Sequence, residues 1–262
     1  MRFSKNIFMP FVVLGDPTYE QSIELVKTLI DHGAGSLELG FAFSDPIADG
    51  QTIQKANKRA LDDGITTKKS FDILRKIRNY FSIPISLMLS FNIVYNYGTE
   101  DFYKKCNELK IDAVLCPDVP LEESEDLVKY SKRYGLNQIF IVSPTTTDDR
   151  MKQINKICSG YVYLVSLLGT TGIRDKINIK LADHIKRTKA NIDLPVYVGF
   201  GISKPEHVKK ILTDGADGVI CGSAFCRLIE SNLNNFDKMI KDVGDFCQSM
   251  QNNEKTSFFK VF

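Results

Sequence analysis

Eight times along this chain a short apolar, β-branched run gives way to a longer amphipathic stretch, and that alternation constrains the fold more than any other feature. The first three runs are IFMPFVVLG, SLELGFAF and PISLML, followed by helical patterns over residues 18–32, 52–80 and 99–109. The other five are DAVLCPDV, QIFIVS, YVYLVS, PVYVGFG and GVICGSAF, each again followed by a stretch of helical character. At every switch the apolar period changes from about 2, which suits a strand, to about 3.6, which suits a helix. Strand followed by helix implies parallel strands with crossover connections, and an eighth strand can return to pair with the first. The expected fold is therefore α/β, a single (β/α)8 TIM barrel spanning residues 1–262, with 252–262 as a loosely held tail. A doubly wound open sheet fits less well, because it ordinarily has fewer strands and no GxGxxG follows the first run.

The share of hydrophobic residues, 43%, is enough to fill such a barrel and too high for a disordered chain. A net charge of +2, built from interspersed Lys, Arg, Asp and Glu, gives little steering toward nucleic acid. Even the basic stretch Lys68–Arg78 carries Phe71, Leu74 and Ile77 near helical spacing, so it reads as the solvated face of a helix. No apolar run approaches the roughly 20 residues that span a bilayer, and Met1 to Pro10 lacks the pattern of a secretory signal. Six cysteines without a CxxC or a compact disulfide spacing suit a reducing compartment, so a cytoplasmic setting is expected.

In such a barrel the site lies at the C-terminal ends of the strands. Three of those ends are glycine-rich: LLGTTGI, VGFGIS and ICGSAF. Small residues let backbone N–H groups approach an anion, and a helix N-terminus adds partial positive charge. Gly172, Gly201, Gly222 and Ser223 are thus candidates for holding a phosphate, although each glycine taken alone could simply make a tight turn. Alternation along the second strand places Ser36, Glu38 and Gly40 on one face, with Glu38 pointing into the barrel mouth. A carboxyl there is desolvated, its pKa rises, and it can act as an acid or base near neutral pH; a solvated strand glutamate is the plain alternative. Asp49 sits in a loop with two turn-forming pairs, Asp45-Pro46 and Asp49-Gly50, and could equally cap a helix starting near Thr52. His32, His184 and His207 lack metal-ligand spacing and read as surface or structural.

The stretch LELGFAFSDPIADGQTIQ, preceded by PFVVLGDP and followed in order by PDVPLEES, GTTG, GFGIS and GSA, resembles the tryptophan synthase alpha chain family over roughly residues 8 to 250. The resemblance implies cleavage of indole-3-glycerol phosphate to indole and glyceraldehyde 3-phosphate by a retro-aldol step, with no cofactor and no metal. It implies that Glu38 is the general acid and base and that Asp49 accepts the indole N–H. Phe11, Met88, Tyr163 and Phe200 would line the indole pocket, with Thr171 on the loop closing over it. It further implies a partner, a pyridoxal-phosphate beta chain, in an assembly of two alpha and two beta subunits. Asp45, Pro46 and Gly169 to Thr171 would face that partner.

The chain departs from the family pattern at Ala42 and Gln51, which stand where prolines are usual, and at Ser90, which replaces an aromatic residue. Leu167 stands where some members carry arginine, and about six residues precede the first strand where the family usually has a helix covering the barrel floor. Those departures imply a looser pocket rim and a less covered floor. Ser90 and Leu167 motivate one alternative, a catalytically weak regulatory subunit of the beta chain; a stand-alone lyase, which the sequence does not separate from the alpha subunit, and another phosphate-sugar barrel are two more.

Overall fold

The computed structural model describes residue 3 and residues 5–46, 49–166, 174–199 and 201–251, with only the backbone for 174–180. The strands are β1 (Ile7–Val13), β2 (Leu37–Gly40), β3 (Ile85–Met88), β4 (Ala113–Leu115), β5 in two segments (Asn137–Gln138 and Phe140–Val142), β6 (Val162–Val165), β7 (Val196–Gly199) and β8 (Gly218–Cys221). The helices are α1 (Tyr19–Asp31), α2 (Gln51–Asp62), α3 (Thr67–Arg78), α4 (Phe91–Tyr97), α5 (Thr99–Glu108), α6 (Glu125–Tyr134), α7 (Asp148–Ile157), α8 (Arg174–Asn191), α9 (Pro205–Thr213), α10 (Ser223–Ser231) and α11 (Phe236–Gln251). All eight apolar runs form strands.

Every strand pairing is parallel, and β1 pairs with both β2 and β8. The ring is completed at β5, whose first segment pairs with β4 and whose second pairs with β6. An open sheet is thereby excluded in favour of a TIM barrel. Strands this apolar and β-branched suit burial on both faces, and β2, β7 and β8 are buried at every residue. The outward faces pack on the helices, as where Phe8 of β1 meets Phe225 of α10.

Helix α1 begins where Thr18 accepts a hydrogen bond from the Gln21 backbone N–H, and it buries Ile23, Val26 and Leu29 at helical spacing. The single helix expected over 52–80 is instead two, α2 and α3. Gly64 breaks it with a φ of 78°, a left-handed conformation, and Thr66 then caps α3 by accepting from Lys69 N at 3.2 Å. Within α3, Phe71, Leu74 and Ile77 are buried, as the basic stretch was expected to arrange them. Helix α4 was not anticipated from the sequence. It starts at Ser90, whose hydroxyl donates to Asp118 at 2.6 Å and accepts from Asn92 N, so the residue that departs from the family pattern serves as a helix cap.

The floor is better filled than the short leader suggests. Phe3 is buried and meets the rings of Tyr161 and Tyr197 edge-on, with centroids 5.0 and 6.3 Å away, while those two tyrosines stack on each other at 4.5 Å. One aromatic side chain thus supplies apolar cover expected of a helix. The six cysteines are all buried and unpaired, and no described helix is long and apolar enough to cross a membrane. The tail 252–262, Leu167 and Gly169 to Thr171 lie outside the described residues.

Candidate active site

Parallel pairing sets Phe11 of β1 beside Glu38 of β2, and Glu38 beside Ser86 of β3, in one row across the barrel. One layer higher, Gly40 of β2 pairs with Met88 of β3. Residues two apart on a strand share a face, so Glu38 and Gly40 both face the interior and the glycine leaves space above the carboxyl. The Phe11 ring uses that space. A Cβ on Gly40 would come within 2.8 Å of Phe11 Cζ, and one on Gly222 within 2.9 Å of Phe11 Cδ1. Across the mouth, Gly199 plays the same part for Tyr163, whose hydroxyl would collide with a side chain there.

These residues surround a cavity of about 340 Å³ at the C-terminal mouth, lined by Phe11, Glu38, Met88, Tyr163, Gly201, Gly222 and Ser223. It falls within the usual size of small-molecule sites, and its walls mix large apolar groups with a few polar ones. Of the residues singled out from sequence, Thr171, Gly172 and Phe200 lie outside the described residues. Asp49 is not among the residues that line the cavity, whereas the next four, Gly50, Gln51, Thr52 and Ile53, are.

Glu38 is 1% exposed. Burial pushes its carboxyl up to about 8; the hydrogen bond from Tyr161 works against that rise, and the charge of Asp49 adds to it. At neutral pH the group therefore carries a proton. The Tyr161 hydroxyl lies 3.5 Å from Glu38 Oε1 and 3.0 Å from Ser86 Oγ, which ties the carboxyl to the barrel interior. Burial also raises the Tyr163 hydroxyl well above its ordinary value, with the charges of Glu38 and Asp49 acting in the same direction, so it remains a donor.

Asp49 is not a helix cap. The cap position of α2 is Gly50, which has no side chain to offer, and Gln51 occupies the first helical position where a proline is also tolerated. The Asp49 carboxylate instead accepts from Asn57 Nδ2 at 3.1 Å, and its backbone carbonyl accepts from Gln54 Nε2 at 2.8 Å. Burial raises its pKa and the Asn57 amide holds it back.

At the other end of the cavity, α10 begins at Ser223, directly after Gly222, so the first backbone N–H groups and the positive end of the helix lie at the opening. Gly201 adopts a φ of 76°, which brings the loop after β7 to the same place. The sequence reading missed Arg227, which also lines the cavity. It lies four residues beyond Ser223 on the same helix face, a spacing that would have revealed it once the helix start was known. Tyr161 and Asn57 were missed as well. Tyr161 acts on a carboxyl from another strand's start, and Asn57 reaches back from a helix into the loop before it; neither relation shows as strand or helix spacing.

Residues 1–255 match the family model described as tryptophan synthase alpha chain. The tryptophan synthase alpha chain of Methanothermobacter thermautotrophicus is 44% identical over 244 residues, covering 93% of this chain and 90% of that one. The corresponding chain of Francisella tularensis is 45% identical over 250 residues, covering 95% of this chain and 93% of that one. Among solved structures, the tryptophan synthase α2β2 complex of the hyperthermophile Pyrococcus furiosus contains a chain that superposes with a TM-score of 0.88 at 35% identity, covering 95% of this chain and 98% of that one. With the barrel, the cavity and matches over nearly the whole length in agreement, this chain belongs to the tryptophan synthase alpha chain family.

Proposed function

We propose that the chain is a carbon–carbon lyase that splits indole-3-glycerol phosphate into indole and glyceraldehyde 3-phosphate in the cytoplasm, as the alpha subunit of an assembly of two alpha and two beta chains. The observation that carries this reading is the buried Glu38 carboxyl, protonated near neutral pH, opening onto a cavity whose far end is built to receive an anion. The partner follows from the likeness to the Pyrococcus furiosus complex.

The chemistry needs two carboxyl groups in different protonation states: burial keeps the proton on Glu38, and at Asp49 the hydrogen bond from Asn57 works against the rise that burial causes. Glu38 gives its proton to indole C3, which moves positive charge onto the ring nitrogen. Asp49, ionised, accepts the indole N–H and stabilises that charge. Glu38, now a carboxylate, takes the proton from the hydroxyl adjacent to C3. The carbon–carbon bond breaks, its electron pair returns to the ring to form indole, and the hydroxyl carbon becomes the aldehyde of glyceraldehyde 3-phosphate. Glu38 regains its proton, so the cycle needs no outside acid or base. Phe11, Met88 and Tyr163, together with Phe200 and the loop residue Thr171, hold the flat ring. Gly201, Gly222 and Ser223, with Gly172, hold the phosphate through backbone N–H groups and a hydroxyl.

The test is release of glyceraldehyde 3-phosphate from indole-3-glycerol phosphate by the purified chain, with and without a beta chain. Cleavage that rises when the beta chain is added supports the proposal. Equal cleavage in both conditions would favour a stand-alone lyase. No cleavage, with the beta chain still activated, would mean a regulatory subunit.

A further inference from the structure

Two side chains of α2 reach Asp49: Gln54 binds its backbone carbonyl, and Asn57 binds its carboxylate. Asn57 lies in α2, is 4% exposed, and uses both ends of its amide. Oδ1 accepts the backbone N–H of Phe43 at 3.3 Å, and Nδ2 donates to Asp49 Oδ2 at 3.1 Å. The Phe43 N–H can only donate, so it fixes which way the amide faces and leaves the NH₂ end for the carboxylate. Helix α2 is itself fastened on both sides of this residue. Arg59 grips Asp16, at the end of β1, through Nε–Oδ1 at 2.7 Å and Nη2–Oδ2 at 2.9 Å, and Lys55 pairs with Glu230 of α10 at 2.8 Å. The helix is therefore held by contacts outside the loop, while the loop's own Phe43 N–H sets which way the amide faces.

We infer that Asn57 is a positioning residue for Asp49: it aims one carboxylate oxygen, favours the ionised form, and leaves the other oxygen for the indole N–H. This rests on the proposed lyase function. The groups that face Asp49 electrostatically are Glu38 of β2, Tyr163 of β6 and Cys226 of α10. Burial keeps the tyrosine hydroxyl and the thiol protonated, and Glu38 opposes a second negative charge, so Asn57 is the group that favours ionisation.

The experiment compares the full chain, assembled with its beta chain, with Asn57→Leu and Asn57→Asp. The leucine removes donor and acceptor together. The aspartate keeps an acceptor for Phe43 N–H and replaces only the donor toward Asp49. The readouts are the pH profile of kcat/KM for indole-3-glycerol phosphate, thermal unfolding, and inhibition by inorganic phosphate as a probe of the far end of the cavity. Because kcat/KM falls at low pH as Asp49 gains a proton, loss of one hydrogen bond to the carboxylate moves the acid limb up by about one pH unit. Activity on the acid limb falls about tenfold in Asn57→Leu, with a smaller loss near neutral pH, the limb moves further in Asn57→Asp, and phosphate inhibition is unchanged. An acid limb that stays in place in both variants overturns the inference, as does a loss uniform in pH that tracks a lowered unfolding temperature. Failure of the unmodified assembly to cleave the substrate is a separate result, which overturns the functional reading and this inference with it.

Discussion

The two ends of the cavity are built on opposite principles. On the β1–β3 side the polar groups are side chains: Glu38 inside the barrel beside Tyr161 and Ser86, and Asp49 on the amide of Asn57. On the β7–β8 side the polar groups are chiefly main chain, exposed by Gly201, Gly222 and the start of α10. The difference follows the chemistry proposed for each end. Moving a proton requires a group whose pKa can be tuned, and only a side chain offers that; holding a dianion requires fixed donors, which a helix start supplies without any titratable group. The carboxyl end should therefore fail through kcat and respond to pH, and the glycine-rich end should fail through KM.

The largest contrast is expected from Glu38→Gln. Release of glyceraldehyde 3-phosphate should fall on the order of 10³-fold, within the range for one acid or base, while the phosphate end still binds. Residual turnover within a few-fold of the unmodified chain would remove Glu38 from the chemistry. The same variant should be more stable to urea. Between pH 4.5 and about 8 the unfolded chain ionises this group and the folded chain does not, so stability conferred by the protonated carboxyl is lost as pH rises through that window. Glu38→Gln escapes the loss, with a gain on the order of a few kcal/mol above about pH 8 and little gain near pH 4. A gain of equal size at both pH values would show that burial has not raised this carboxyl.

Asp49→Asn should lower kcat by roughly 10²-fold with a smaller change in KM, since the charge it stabilises develops during the reaction. A pure KM effect would place Asp49 with the binding groups and erase the contrast between the two ends. Ser223→Ala is expected to have the smallest effect, raising KM about tenfold and changing kcat less, as for one hydrogen bond to a charged group. If its acid or alkaline limb moved, the glycine-rich end would no longer be the pH-independent one.

Much of this was legible in the chain itself. Alternating periods located every strand, and the period-2 pattern of SLELG turned Glu38 inward, because the pleat leaves each side chain only two directions. What misled was local. The pattern over 52–80 read as one helix since both halves are amphipathic, and only the left-handed Gly64 separates them. Asp49 read equally well as a cap or a turn residue because both uses depend on neighbours in sequence, whereas its partner Asn57 reaches it from the next helix. Leader residues that looked too few to cover the floor do so in part through Phe3, whose contacts are residues 161 and 197.

The sequence by itself determined the order of strands and helices, the barrel class, the inward face of Glu38 and the glycine-rich strand ends. Each of those is set by periodicity or by backbone requirements within a few residues. Tertiary structure alone decided that Phe11 packs between Gly40 and Gly222, that Tyr161 meets Glu38, that Asn57 holds Asp49, and that Arg227 reaches the cavity. It also decided the most consequential property of the site, the rise of the Glu38 carboxyl to about 8. A pKa depends on how much water is excluded and which charges stand nearby, and closing the ring of strands sets both.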